Sequence, residues 1–127
     1  MEATPRYIPG VCNIGEAEIA QRKRIGYAAL VVTLVGWALL WYSGVPALWR
    51  LVLVVPAFMA ATGFLQGFMH FCAGFGMRGV FNFGPEIYKT ETVKDADALK
   101  KDKRKAQQIF LYSIAIGILV AVVAYFL

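Results

Sequence analysis

The side chains in this sequence best suited to chemistry are one histidine and two cysteines, and His70 and Cys72 stand two residues apart inside an apolar stretch, Leu48 to Gly76. An ionisable group buried among apolar residues is expensive, which makes it a functional hypothesis by default. The His70 imidazole can ligate a haem or chlorin metal, relay a proton, or hydrogen-bond to Gln66 or a neighbouring helix. It is the one candidate cofactor ligand here, and the cofactor itself is unknown. A lone histidine cannot supply both axial ligands of a haem within one subunit.

Cys12 and Cys72 form no metal site with it on sequence grounds. A structural zinc or iron–sulfur centre takes four ligands. On a continuous helix His70 and Cys72 would also point about 160° apart. In a reducing compartment a disulfide is disfavoured, so packing or a free thiol is expected of each. No catalytic residues are assigned. The sequence offers no nucleophile–base pair on one helical face, no paired intramembrane carboxylates and no phosphate loop, since Gly74, Gly76 and Gly79 follow an apolar span rather than a strand.

The elements that must position these residues are set by composition. The chain has 127 residues, 59% hydrophobic, with a mean hydropathy of +0.58, against roughly 45–50% apolar in soluble domains. The expected fold is an all-α integral membrane bundle of three transmembrane helices. Their boundaries are about 25–42, 48–76 and 106–127. Residues 1–13 form an extended tail, 14–127 one membrane domain, and about 77–105 a long basic loop. The tail does not read as a cleavable signal peptide, because acidic residues precede the basic cluster and the apolar run is full length.

Helical spacing assigns faces to the spans. On the first, Gly26, Ala29, Thr33 and Gly36 share an arc of about 80°, a small-residue stripe that admits another backbone. On the second, Ala60, Gly67 and Gly74 lie within about 60° of Gly63, with His70 and Gln66 on the same side. Phe64, Phe68, Phe71 and Phe75 form a separate ridge, suited to lipid, a pigment-like ligand or a partner protein. At 29 residues this span would be about 43 Å long, and Pro56 is expected to kink it. The third span carries a stripe through Ala106, Ser113, Gly117, Ala121 and Ala124. Helix packing is thus expected of Gly26, Thr33, Gly63, Gln66, Gly67, Gly74 and Gly117.

Between the spans, Ser43 to Ala47 reads as a tight turn. Asn13 is expected to cap the first helix, and Glu18 to pair weakly with Arg22 four residues on. Val80 to Thr92 reads as an irregular interfacial segment. Thr92 followed by Asp95 is expected to cap a helix that carries the basic run into span three.

Of thirteen Lys and Arg, twelve fall on one side if the chain crosses three times. The positive-inside rule then puts the N-terminus and basic loop in the cytoplasm and the C-terminus outside a cytoplasmic (inner) membrane. Lys100, Lys101, Lys103, Arg104 and Lys105 are expected to meet anionic headgroups or an acidic partner. Charge gathered beside spans argues against nucleic acid despite the net +5.

Three functions follow as expectations. The first is a non-catalytic accessory or scaffold subunit of a larger membrane complex, respiratory or photosynthetic, contacting other membrane subunits or further copies of itself. The second is a cofactor-binding electron-transfer subunit with His70 as ligand. The third is a small oligomeric channel or transporter.

Overall fold

The computed structural model of the chain describes residues 7–127. Three helical stretches are long and apolar enough to cross a membrane, Glu16–Tyr42, Ala47–Met69 and Ala96–Phe126. The chain is therefore a multi-pass membrane protein by its helices. The part of the expected tail before Tyr7 lies outside the described residues.

Helix α1 runs Glu16–Tyr42. It starts after Gly15 and not on an Asn13 cap, because Gly15 is pressed against Phe83: a Cβ there would sit 3.0 Å from the Phe83 Cα. Asn13 is turned across the chain to another partner, described below. After the turn at Ser43–Gly44, where Gly44 takes a positive φ of 75°, a 3₁₀ segment Ala47–Leu53 leads into α2, Val54–Met69. Pro56 falls in the first turn of α2, directly after the 3₁₀ segment. It lies close to the change from 3₁₀ to α winding.

The second span ends earlier than its composition suggests. His70 adopts a left-handed conformation, φ 56°, as the C-cap of α2, and a separate short helix α3 covers Ala73–Arg78. The predicted single helix 48–76 is thus two helices with a bend between them. The 3₁₀ segment and α2 together reach about 38 Å at 2.0 and 1.5 Å per residue, enough for a core of about 30 Å without the extra length.

Strands β1 (Val80–Phe81) and β2 (Glu91–Thr92) pair antiparallel, Val80 opposite Thr92. The segment expected to be irregular is therefore closed into a loop. Val93 N–H donates to Gly79 O at 2.8 Å behind it. Helix α4, Ala96–Phe126, begins on Asp95, whose carboxylate accepts from Ala98 N–H at 3.2 Å. The basic run is helical, in keeping with a helix that carries it into span three.

Helix α2 is the middle member, packed on α1 along one side and on α4 along the other. Close approach is bought by missing side chains. A Cβ on Gly63 would lie 2.6 Å from Gly26 N and 2.8 Å from Arg22 O, so the α1–α2 crossing is backbone on backbone. On the other side, a Cβ on Gly117 would come within 3.1 Å of Val54 O. Such contacts gain dispersion energy over a long seam without a hydrophobic driving force between helices. At the α4 terminus, Arg50 Nη1 donates to Ala124 O and Tyr125 O at 3.2 and 3.3 Å, answering carbonyls that the helix end leaves open. At the opposite end of the bundle, the N-terminal tail, α3 and the strand pair come together with the first turns of α1 and α4.

Candidate functional site

That opposite end holds the densest polar chemistry in the molecule. Five buried polar side chains, Asn13, Glu18, Arg22, Gln66 and Asn82, meet there, and Asp102 lies buried near by. Glu18 and Arg22 come from α1, Gln66 from α2, Asp102 from α4, Asn13 from the tail and Asn82 from the segment after β1, so the cluster ties the chain together at its most polar level.

The bend after α2 comes first. With the chain reversing at His70, Phe71 N–H and His70 N–H both turn to Gln66 O, and the Gln66 side chain accepts from Ala73 N–H at 2.7 Å. One glutamine thereby satisfies the groups on both sides of the break, which an apolar environment would leave costly. Asn13 does the same from the tail. Its Oδ1 accepts from Cys72 N–H at 2.7 Å and its Nδ2 donates to Cys72 O at 3.1 Å, so the amide matches a peptide edge. Its own N–H donates to His70 O, and its carbonyl accepts from Asn82 N–H at 3.0 Å. Residues 7–14 are therefore bonded across this end, with a tight turn between Ile8 and Cys12 in place of a simply extended run.

Glu18 and Arg22 lie on the buried face of α1, at 0% and 5% exposure. The Glu18 carboxylate accepts from Arg22 Nη1 at 2.7 Å, from Asn82 Nδ2 at 2.7 Å and from Tyr88 N–H. Tyr88 reaches it from a left-handed backbone, φ 64°, a conformation uncommon outside glycine. Arg22 Nη2 donates to Cys72 Sγ at 3.0 Å. Its guanidinium also lies 5.3 Å from the Phe75 ring centre and 5.5 Å from that of Tyr88, a planar cation held between aromatic faces. The pair expected to be weak is thus a buried, multiply bonded ion pair. Buried charges persist only when paired and hydrogen-bonded in this way.

Asp102 anchors the tail to α4. Fully buried, it accepts from Tyr7 Oη–H at 2.6 Å and from Gly10 N–H at 2.8 Å. Burial and the Asp102 carboxylate hold the Tyr7 phenol well above its ordinary range. Burial likewise pushes the Cys12 thiol up, partly offset by its contact with Ile14 O.

The residues singled out by sequence fall differently. His70 is exposed at a helix cap, not set on the small-residue face of α2, and its side chain takes no hydrogen bond among the described residues. The bend also ends the phenylalanine ridge: Phe71 and Phe75 are buried in separate apolar clusters, while Phe68 is exposed and lies under Lys23 Nζ at 5.2 Å. Gly74 belongs to α3, where a Cβ would meet only Cys72 Sγ at 3.9 Å. Gly67 faces the Lys23 side chain. Thr33 is buried and donates to Ala29 O of its own helix. Cys12 and Cys72 are both free. Among the described residues no three His, Cys, Asp or Glu gather as metal ligands. Lys100, Lys103 and Arg104 are exposed, and Lys101, Arg104 and Lys105 share one face of α4 beside Pro9 and Gly10.

Sequence reasoning missed Asn13, Asn82, Tyr7 and Asp102 as members of this assembly. Asp102 carried a readable signal, being the one acid inside the run Lys100 to Lys105. Asn82 sits in a segment without periodicity, and nothing in it marks a buried amide. Comparison with protein-family models, curated proteins and solved structures gives no match, so function is argued from these residues alone.

Proposed function

We propose that this chain is a non-catalytic accessory or scaffold subunit of a larger membrane complex, with its basic end in the cytoplasm and its C-terminus outside. One observation carries the reading. The buried polar side chains at the basic end spend their hydrogen bonds inside the chain, Glu18 on Arg22, Asn82 and Tyr88, Asn13 on Cys72, Gln66 on Ala73 and Asp102 on Tyr7 and Gly10. Groups consumed in this way fix a shape; they hold a rigid cap on a three-helix stem. That is the design of a part that presents surfaces to neighbours.

The stem supports the same reading, because large apolar side chains point outward along all three spans, among them Tyr27, Leu39, Phe68 and Leu119. Lipid can cover these, and so can neighbouring subunits. Orientation follows from the asymmetry of Lys and Arg, and a cytoplasmic membrane is the membrane to which that rule applies most directly. Blue-native electrophoresis after mild detergent extraction tests the proposal: co-migration with a larger assembly is expected, and migration of all the protein as a bare monomer overturns it.

A further inference from the structure

Three cations of α4, Lys101, Arg104 and Lys105, line a recess of about 250 Å³ together with Gln108 and the tail residues Pro9 and Gly10. Spacings of three and four residues put the α4 side chains on one face. The tail forms the facing wall because Gly10 has a positive φ of 72° and lies close enough that a Cβ would stand 3.2 Å from Lys101 Cβ. The wall is pinned by Asp102, which turns its carboxylate to Tyr7 and Gly10. The one acid of this stretch is thereby spent on the tail. Among the described residues Lys101, Arg104 and Lys105 have no carboxylate within ion-pairing distance.

Below the recess, the same face of α4 changes character within two turns. Gln108 is followed by exposed Leu111 and Tyr112, in the part of α4 that is apolar enough to cross a membrane. Cations, then an amide, then apolar surface is the order of groups in a phospholipid read from phosphate to ester to acyl chain. We propose that this recess binds the phosphate of an anionic glycerophospholipid, held by Lys101, Arg104 and Lys105, with Gln108 at the ester level and an acyl chain along Leu111 and Tyr112. A zwitterionic choline lipid fits less well, because its quaternary ammonium would meet three like charges. The inference needs the membrane-spanning helices, not the scaffold reading, and either can fail without the other.

The test uses the full chain purified in dodecyl maltoside micelles, with bound lipid counted by native mass spectrometry. Phosphatidylglycerol is expected to bind one per chain and at least tenfold more tightly than phosphatidylcholine of the same acyl composition. Arg104→Gln should weaken it about fivefold, the worth of one interfacial charge. Lys103→Gln removes the same charge from the opposite side of the helix and should change binding less than twofold. Soluble glycerol phosphate at millimolar concentration should not compete, since the acyl contacts are part of the site. Equal affinity for the two lipids overturns the proposal. Equal weakening by Arg104→Gln and Lys103→Gln overturns it in favour of diffuse surface attraction, and full competition by glycerol phosphate in favour of a soluble phosphate ligand.

Discussion

Replacing Glu18 with Gln preserves the shape of the side chain and removes its charge, which isolates what the buried ion pair contributes. The carboxylate accepts from three donors, Arg22 Nη1, Asn82 Nδ2 and Tyr88 N–H. An amide keeps one oxygen and presents an NH₂ group, so at least one donor is left facing another donor. The Arg22 cation loses its counter-ion at 5% exposure. Removing one partner of a buried pair typically costs 3–5 kcal/mol. Arg22 retains Cys72 Sγ and the Phe75 and Tyr88 rings, so the lower end applies, about 3 kcal/mol. Arg22→Met should cost about as much, because it strands a buried carboxylate on two remaining donors. The double variant removes both charges, and its cost should fall short of the sum by about 2 kcal/mol or more. Unfolding in mixed micelles at rising SDS fraction, followed by the fluorescence of Trp37, Trp41 and Trp49, measures all four proteins. A Glu18→Gln protein within about 1 kcal/mol of wild type, or an additive double variant, would refute the account of the cluster.

Further expectations come from geometry elsewhere. Gly63→Ala drives a Cβ into the α1 backbone at Gly26 and Arg22 and should destabilise by about 3 kcal/mol or disrupt the bundle, whereas Gly74→Ala on α3, whose Cβ would make only an ordinary contact with Cys72 Sγ at 3.9 Å, should be neutral or stabilising in the same unfolding assay. Tyr7 has a raised folded-state pKa, through burial and then Asp102. Its contribution to stability is therefore whole below the ordinary tyrosine value near 10 and is lost as pH rises through the folded-state value, since the unfolded chain releases that proton first. An alkaline unfolding series should show this loss in wild type but not in Tyr7→Phe; identical pH dependence in the two would contradict it. His70→Gln and His70→Leu should both leave the stability of the fold and assembly of the complex intact, as suits an exposed cap, and an absorption band lost in either variant would return His70 to a ligand role.

The spans were legible because apolar length and charge asymmetry are properties of the sequence itself, and the glycines Gly26, Gly63 and Gly117 mark close approach wherever helices meet. The break at His70 was not. The stretch Gly63 to Gly76 holds no proline and no cluster of turn-forming polar residues to mark a stop, and a left-handed histidine is permitted only because Gln66 and Asn13, one of them far away in sequence, satisfy the freed peptide groups. That single misplacement carried others with it, since helical spacing beyond residue 69 assigned Gly74, Phe71, Phe75 and Cys72 to faces that the bend redistributes. The buried polar cluster was half visible. Glu18 and Arg22 show their four-residue spacing, but their burial depends on Asn82 and Tyr88, delivered by a loop that no periodicity foretells. Surface pairs of this kind contribute little; it is the covering loop that changes their weight.

The scaffold reading is tested most directly where the stem meets its surroundings. A photo-reactive amino acid placed in turn at Tyr27, Phe68 and Leu119, exposed positions on α1, α2 and α4, and irradiated in native membranes, reports what each helix touches. The account predicts that at least one position crosslinks reproducibly to a single other polypeptide and that the adduct persists in the assembly resolved under native conditions. Adducts to lipid alone at all three positions would contradict it.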